Sequence, residues 1–191
     1  MDTDKKKVFP FSKERIMPLI LTGSIILVDQ ITKFIIVKNW PISRNIIADV
    51  FGNGFLQIIH VRNKAIAFSM GHDLPDLIKP VLFIVVPILV LGFLMWYYFY
   101  SNEFTPIQRW AAAGIIGGGI GNIIDRIFRP DGVVDFIDVN FYGIFGWERW
   151  PTFNIADSSV VVCCILLFIS IIFQSQLTVK LPAQKTKEGK K

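Results

Sequence analysis

Two aspartates, Asp135 in V-V-D-F and Asp157 in F-N-I-A-D-S, are the groups in this sequence best suited to acid–base work. Carboxylates brought within hydrogen-bond reach do not both ionise easily, so they share a proton. One then acts as a base on a water, while the other, protonated, donates to a scissile carbonyl. Their titration belongs to the pair rather than to either residue. Such chemistry suits peptide-bond hydrolysis without a metal or a covalent intermediate. Asp135 belongs to a run from Gly117 to Asp138 that places four acids (Asp125, Asp131, Asp135, Asp138) and two arginines (Arg126, Arg129) after a glycine-rich apolar segment. A charge at bilayer depth costs about 2.5 to 3.5 kcal/mol on insertion scales, so charges there usually have a job.

Further polar residues stand at helical spacing around the two acids. Asn122, Asp125 and Arg126 share one face. An Asp–Arg pair there is as readily architectural as functional, which leaves both roles open for Asp125. The planar fork of Arg126 suits a peptide carbonyl or a lipid headgroup. Asn154 is positioned to cap a helix that contains Asp157. Asp29 and Lys33, four apart with the acid first, predict an ion pair that holds structure more than it does chemistry. Competing sets are weak. Ser158 and Ser159 have no histidine near them in sequence, and His60 and His72 read as surface or interface residues. Asp131 and Asp138 read as water-exposed loop acids. No metal-ligand spacing is present. Adjacent Cys163 and Cys164 sit in an apolar run as small hydrophobes.

The elements that must carry these groups are membrane spans. With 52% hydrophobic residues and 17 Phe in 191 residues, the chain reads as a single multi-span membrane domain. Apolar runs predict spans at about 17–37, 80–100, 110–128 and 153–173, with outer loops 38–79 and 129–152. Asp29 and Lys33 interrupt the first run and no cleavage site follows it, so it reads as a retained span rather than a signal peptide. Basic residues in 1–16 and in the tail 176–191 put both ends in the cytoplasm. Five basic residues of the first outer loop (Lys38, Arg44, Arg62, Lys64, Lys79) pull against that orientation. The net charge of +5 forms no single patch, which argues against nucleic acid as a partner. Gly52-Asn53-Gly54 marks a turn, and Phe55 to Ser69 reads as one or two strands of a small outer β element. Ile46, Ile47, Val50 and Phe51 suggest a short amphipathic interfacial helix before it. In the third span, Gly114/Gly118 and Gly117/Gly121 are small-xxx-small pairs that let helices approach closely. Three spans thereby deliver polar groups to one depth, toward the outer leaflet.

At these residues the chain resembles the lipoprotein signal peptidases (signal peptidase II). D-Q-I-T-K at 29–33, R-N-K-A-I-A-F-S at 62–69, G-N-I-I-D-R at 121–126, V-V-D-F at 133–136 and F-N-I-A-D-S at 153–158 occur in the family's order. The resemblance implies a four-helix membrane aspartic protease with a small outer β-cradle. Such an enzyme cuts prolipoproteins just before the cysteine that carries diacylglycerol. It further implies Asp135 and Asp157 as the catalytic pair and Asn63, Asn122, Arg126 and Asn154 as polar positions near substrate. Asp29, Lys33 and Asp125 are implied as support, with no cofactor and no obligate protein partner. The expected place is a bacterial inner membrane, among its lipids. Two departures stand out: the family's N-x-G reads Asn63-Lys64-Ala65, and Pro130-Asp131 lengthens the link from Asp125 to Asp135. The residues alone leave two other classes, a proton-coupled carrier and a membrane scaffold. Against the carrier stand the missing repeat symmetry and an Asp135 outside any span, and the scaffold leaves the convergence of acids unexplained.

Overall fold

The computed structural model describes residues 11–64, 75 and 77–179, without the side chains of 145 and 175–179. His72, Ala65 and the rest of the 62–69 motif beyond Lys64 lie outside the described residues, as do most of both flanks.

Among the described residues, four helical stretches are long and apolar enough to cross a membrane: Lys13–Asn39, Val81–Tyr100, Pro106–Phe128 and Ile155–Gln174. Pro18 divides the first into α1 (Lys13–Ile16) and α2 (Leu19–Asn39). The second opens as a π-helical turn, Val81–Val85, and continues as α3 (Val86–Tyr100). Pro87 lacks an N–H, so the regular bond to Phe83 four residues back cannot form where the turn widens. The third is α4 (Pro106–Phe128), which starts four residues ahead of the expected 110. Thr105 at the N-cap and Gln108 at the third helical position form a capping box, with Pro106 first in the helix and Arg109 within its first turn. The last is α5 (Ile155–Val179).

Helix α4 is the most buried of the four and packs on α2, α3 and α5. Its glycines make that possible. A Cβ at Gly117 would lie 3.0 Å from the Thr22 carbonyl oxygen of α2, and one at Gly118 would strike the Ala156 carbonyl oxygen of α5. Gly118 thus packs against a neighbouring helix. Tyr98, Ala112, Ala113 and Ile116 form an apolar core between α3 and α4. At that end Arg109 donates to the Tyr98 and Ser101 carbonyls, each at 3.0 Å, and Arg15 to Phe99 O, so two guanidiniums close the C-terminus of α3.

At the opposite end lies a three-stranded antiparallel sheet of order β1-β2-β3: β1 (Ser43–Asp49), β2 (Leu56–Asn63) and β3 (Val133–Val139). The turn at Gly52 and Gly54 has left-handed backbone at both glycines, and Asp49 accepts from both amides. The expected interfacial helix around Ile46–Phe51 is not there. Ile46 and Ile47 lie in β1 and Val50 and Phe51 in the bend that follows it, and the pairing of β1 with β2 shifts register between Ser43 and Ala48, which breaks the simple alternation a strand would show. Val134 and Phe136 of β3 pack on Ile36 of α2, seating the sheet on the bundle.

Candidate active site

The sheet and the helix ends meet at Asp135. It lies mid-strand in β3, is 2% exposed, and pairs across to Val61 of β2. Asn63, two residues further along β2, shares that face and donates to Asp135 Oδ2 at 3.1 Å. Asn154 Nδ2 donates to Asp135 Oδ1 at 2.8 Å. Burial, and then the nearby Asp157 carboxylate, push the Asp135 carboxyl up to about 7 against the opposing effect of these amides.

Asp157 enters from α5. Asn154 caps that helix: its Oδ1 accepts from the Asp157 amide at 2.9 Å, and its own amide donates back to Asp157 Oδ2 at 3.3 Å. Asn122 of α4 donates through Nδ2 to Asp157 Oδ1 at 2.7 Å. Asn154 therefore sits between the two acids, bonded to both. The polar residues expected from the sequence converge on this point, and each bonds a neighbour here except Arg126.

Beneath lies a buried charge cluster. Lys33 Nζ is 2.9 Å from Asp29 Oδ2, 3.0 Å from Asp125 Oδ2 and 3.1 Å from Asn122 Oδ1, with all three charged side chains fully buried. Removing one partner of such a cluster costs about 3–5 kcal/mol, because a charge is left uncompensated. The acids also hold backbone in place. Asp125 accepts from the Val134 amide at 3.0 Å, next to Asp135, and Asp29 accepts from the Ala156 amide at 3.0 Å, next to Asp157. Asp125, open between two roles in the sequence, makes its contacts here with Lys33, Arg129 and the Val134 amide.

Arg126 stands apart. Among the described residues it enters no hydrogen bond or ion pair, yet it lies within electrostatic reach of Asp157, Asp135 and Asp125. A five-donor fork held beside two carboxylates with no fixed partner is available to an incoming acceptor.

Two contributors escaped the sequence reading. Gln30 Nε2 donates to Asp29, Asp125 and the Gly121 carbonyl at 3.0–3.1 Å, and Arg129 pairs with Asp125. The i,i+4 spacing of Asp125 and Arg129 was the available signal for the second. Two expectations are corrected. Asp138 is buried and paired with Arg149 at 2.7 Å, because β3 carries it into the sheet; His60 is 2% exposed, its Nδ1 2.9 Å from the Trp40 carbonyl. Asp131 is exposed, as expected.

A family model described as Signal peptidase (SPase) II matches residues 21–173. The chain is 44% identical over 170 residues to the lipoprotein signal peptidase of Treponema pallidum, covering 89% of this chain and 90% of that one. To the lipoprotein signal peptidase of Borrelia hermsii it is 46% identical over 149 residues, covering 78% and 85%. A solved structure described as a bacterial membrane enzyme, obtained by the in meso method, superposes with a TM-score of 0.70 at 27% identity, covering 92% of this chain and 94% of that one.

Proposed function

The chain belongs to the signal peptidase II family, and from that premise we propose that it is a membrane aspartic endopeptidase. It removes signal peptides from diacylglyceryl-modified prolipoproteins, cutting before the lipidated cysteine. The observation that carries this reading is the placing of Asp135 and Asp157 on either side of Asn154, each held by amide donors. In the first step the oxygen of a water bonds to the scissile carbonyl carbon. One aspartate takes a water proton while the other gives its proton to the carbonyl oxygen. Then the C–N bond breaks, the departing nitrogen takes its electron pair and a proton, and a proton from the diol returns to the pair.

Asn63, Asn122 and Asn154 keep the acids aimed, and Arg126 grips a substrate carbonyl or headgroup oxygen. Asp29, Lys33 and Asp125 support this arrangement from below. The site faces the outer leaflet of a bacterial inner membrane, with both termini cytoplasmic, a reading supported by the basic ends of the chain. A lipid-anchored cysteine is held at the bilayer surface, and the site lies where the helix ends meet the sheet. A proton-coupled carrier is disfavoured because Asp135 sits in a strand beyond the helices.

The test is mass spectrometry of a lipobox peptide, with and without a diacylglyceryl cysteine, after incubation with the purified protein. Cleavage of the lipidated peptide only, at the bond preceding the cysteine, is expected. A cut elsewhere, or equal cutting of both peptides, overturns the substrate assignment.

A further inference from the structure

We propose that Lys33 is a positioning residue for the hydrolysis: it locks the Asn122 amide in one orientation, which fixes Asp157 as the ionised acid that takes the proton from water and leaves the shared proton on Asp135. The inference rests on the peptidase reading above and adds to it a direction of proton transfer.

The lock follows from donor counting. An ammonium has three protons and no acceptor. Those of Lys33 are met by Asp29 Oδ2, Asp125 Oδ2 and Asn122 Oδ1. Asn122 must therefore present its oxygen to Lys33, and the same oxygen accepts from Asn154 Nδ2 at 3.2 Å. Its NH2 group is left facing Asp157 Oδ1 at 2.7 Å. Turning the amide over would set NH2 against an ammonium and against a second NH2, and would aim the oxygen at a carboxylate. Asn154 is locked independently, since its Oδ1 accepts from the Asp157 backbone.

The two acids are consequently served unequally. Asp157 receives a short bond from an amide polarised by a buried cation, and it lies in the first turn of α5, where backbone dipoles favour an anion. Asp135 takes a longer bond from Asn63, at 3.1 Å, and shares the two Nδ2 hydrogens of Asn154 with Asn122 Oδ1 and Val134 O, at 2.8, 3.2 and 3.3 Å respectively. Its near-complete burial penalises a charge further. The charged side chains that act on Asp157 are Lys33 from α2, Arg126 from α4 and Asp135 from β3. Asp29 of α2 and Asp125 of α4 are bonded to Lys33, Arg129 just past α4 is bonded to Asp125, and β2 offers the neutral Asn63. Lys33 and Arg129 balance Asp29 and Asp125, so the cluster acts on Asp157 through the oriented dipole of Asn122 more than through net charge.

In the forward step Asp157 accepts a proton from water as the C–O bond forms, and Asp135 gives its proton to the carbonyl oxygen. In the collapse Asp157 passes its proton to the departing nitrogen, and a diol hydroxyl returns one to Asp135. Atoms and charge balance, and both acids end as they began.

The test compares wild type with Lys33→Met and Asn122→Leu, reading kcat and KM across pH on the lipidated peptide, with melting curves in detergent. Because Lys33→Met strands two buried acids, a charge-balanced Asp29→Asn/Lys33→Met protein is included. Loss of the lock is expected to lower kcat at least about ten-fold with KM nearly unchanged, and to move the acid limb of the kcat profile to higher pH by about one unit or more. Asn122→Leu, with its ion cluster intact, shifts the same limb. Reduced kcat with the limb in place, or an effect confined to KM, overturns the proposal even where wild type cleaves normally. An inert wild type overturns the peptidase reading itself and the inference with it.

Discussion

Asn154 and Asp157 cap one another at the start of α5, the Asp157 amide donating to Asn154 Oδ1 and the Asn154 amide to Asp157 Oδ2. A carboxylate proposed for chemistry is thereby also part of a helix end. Asp157→Asn retains one oxygen for that turn while its new NH2 meets the second donor, so it is expected to stop cleavage and to melt below wild type, though by less than Asn154→Ala. Asn154→Ala removes the cap, at about 1 kcal/mol. It also removes a donor from a buried carboxyl, at about 1–3 kcal/mol more. Melting curves of the two variants in detergent check this, and an Asn154→Ala protein that melts with wild type contradicts it.

The pH dependence of stability follows from Asp135. Its folded value of about 7 stands above the ordinary 3.8. Below 3.8 both the folded and the unfolded chain hold the proton, so the buried acid carries no penalty. Between 3.8 and about 7 the unfolded chain releases the proton while the folded one keeps it, and stability is lost across that window. Asp135→Asn has no such titration. It is expected to melt above wild type at about pH 8, with the gap closing toward about pH 4. A constant gap across pH would show that Asp135 does not hold its proton in the fold.

Much of this was legible in the sequence because membrane spans announce themselves. The four apolar runs became the four long helices, and the Asp29–Lys33 spacing became an ion pair. Asn154, read as a cap, is one. What stayed hidden was long-range. Ile46, Ile47, Val50 and Phe51 have a spacing that a helix satisfies, and only pairing with β2 puts the first two in a bulged strand and the last two in the bend after it. Asp138 looks like a loop acid until Arg149, eleven residues on, folds back onto it. Gln30 gave no local signal, because its partners lie on α4 and at the neighbouring Asp29.

Glycine position separates packing from permissiveness. A side chain at Gly118 meets the Ala156 carbonyl oxygen and Ser159, and one at Gly121 meets Asp29 Oδ2 at 2.8 Å. Gly118→Val is expected to cost roughly 1–3 kcal/mol or to abolish folded yield. Gly23 and Gly92 have no atom within 4 Å of an added Cβ, so alanine there is expected to be neutral or to stabilise by up to about 1 kcal/mol. Thermal melts of these variants decide, and equal tolerance at Gly118 and Gly23 contradicts the packing described.

Arg126 is expected to act in binding. Loss of a charge-assisted hydrogen bond costs about 1.5–3 kcal/mol, so Arg126→Gln should raise KM roughly ten- to hundred-fold with a smaller change in kcat. Steady-state kinetics on the lipidated peptide read this split. An unchanged KM would remove Arg126 from the substrate contacts.

Whether Asp135 and Asp157 act together on water is decided by cleavage of the diacylglyceryl peptide by wild type, Asp135→Asn and Asp157→Asn, each verified as folded by its melting curve and each assayed with and without a chelator. Wild type is expected to cut at the same rate with chelator present, and both variants are expected to be inert. Cleavage retained by either folded variant, or lost from wild type on chelation, would contradict it.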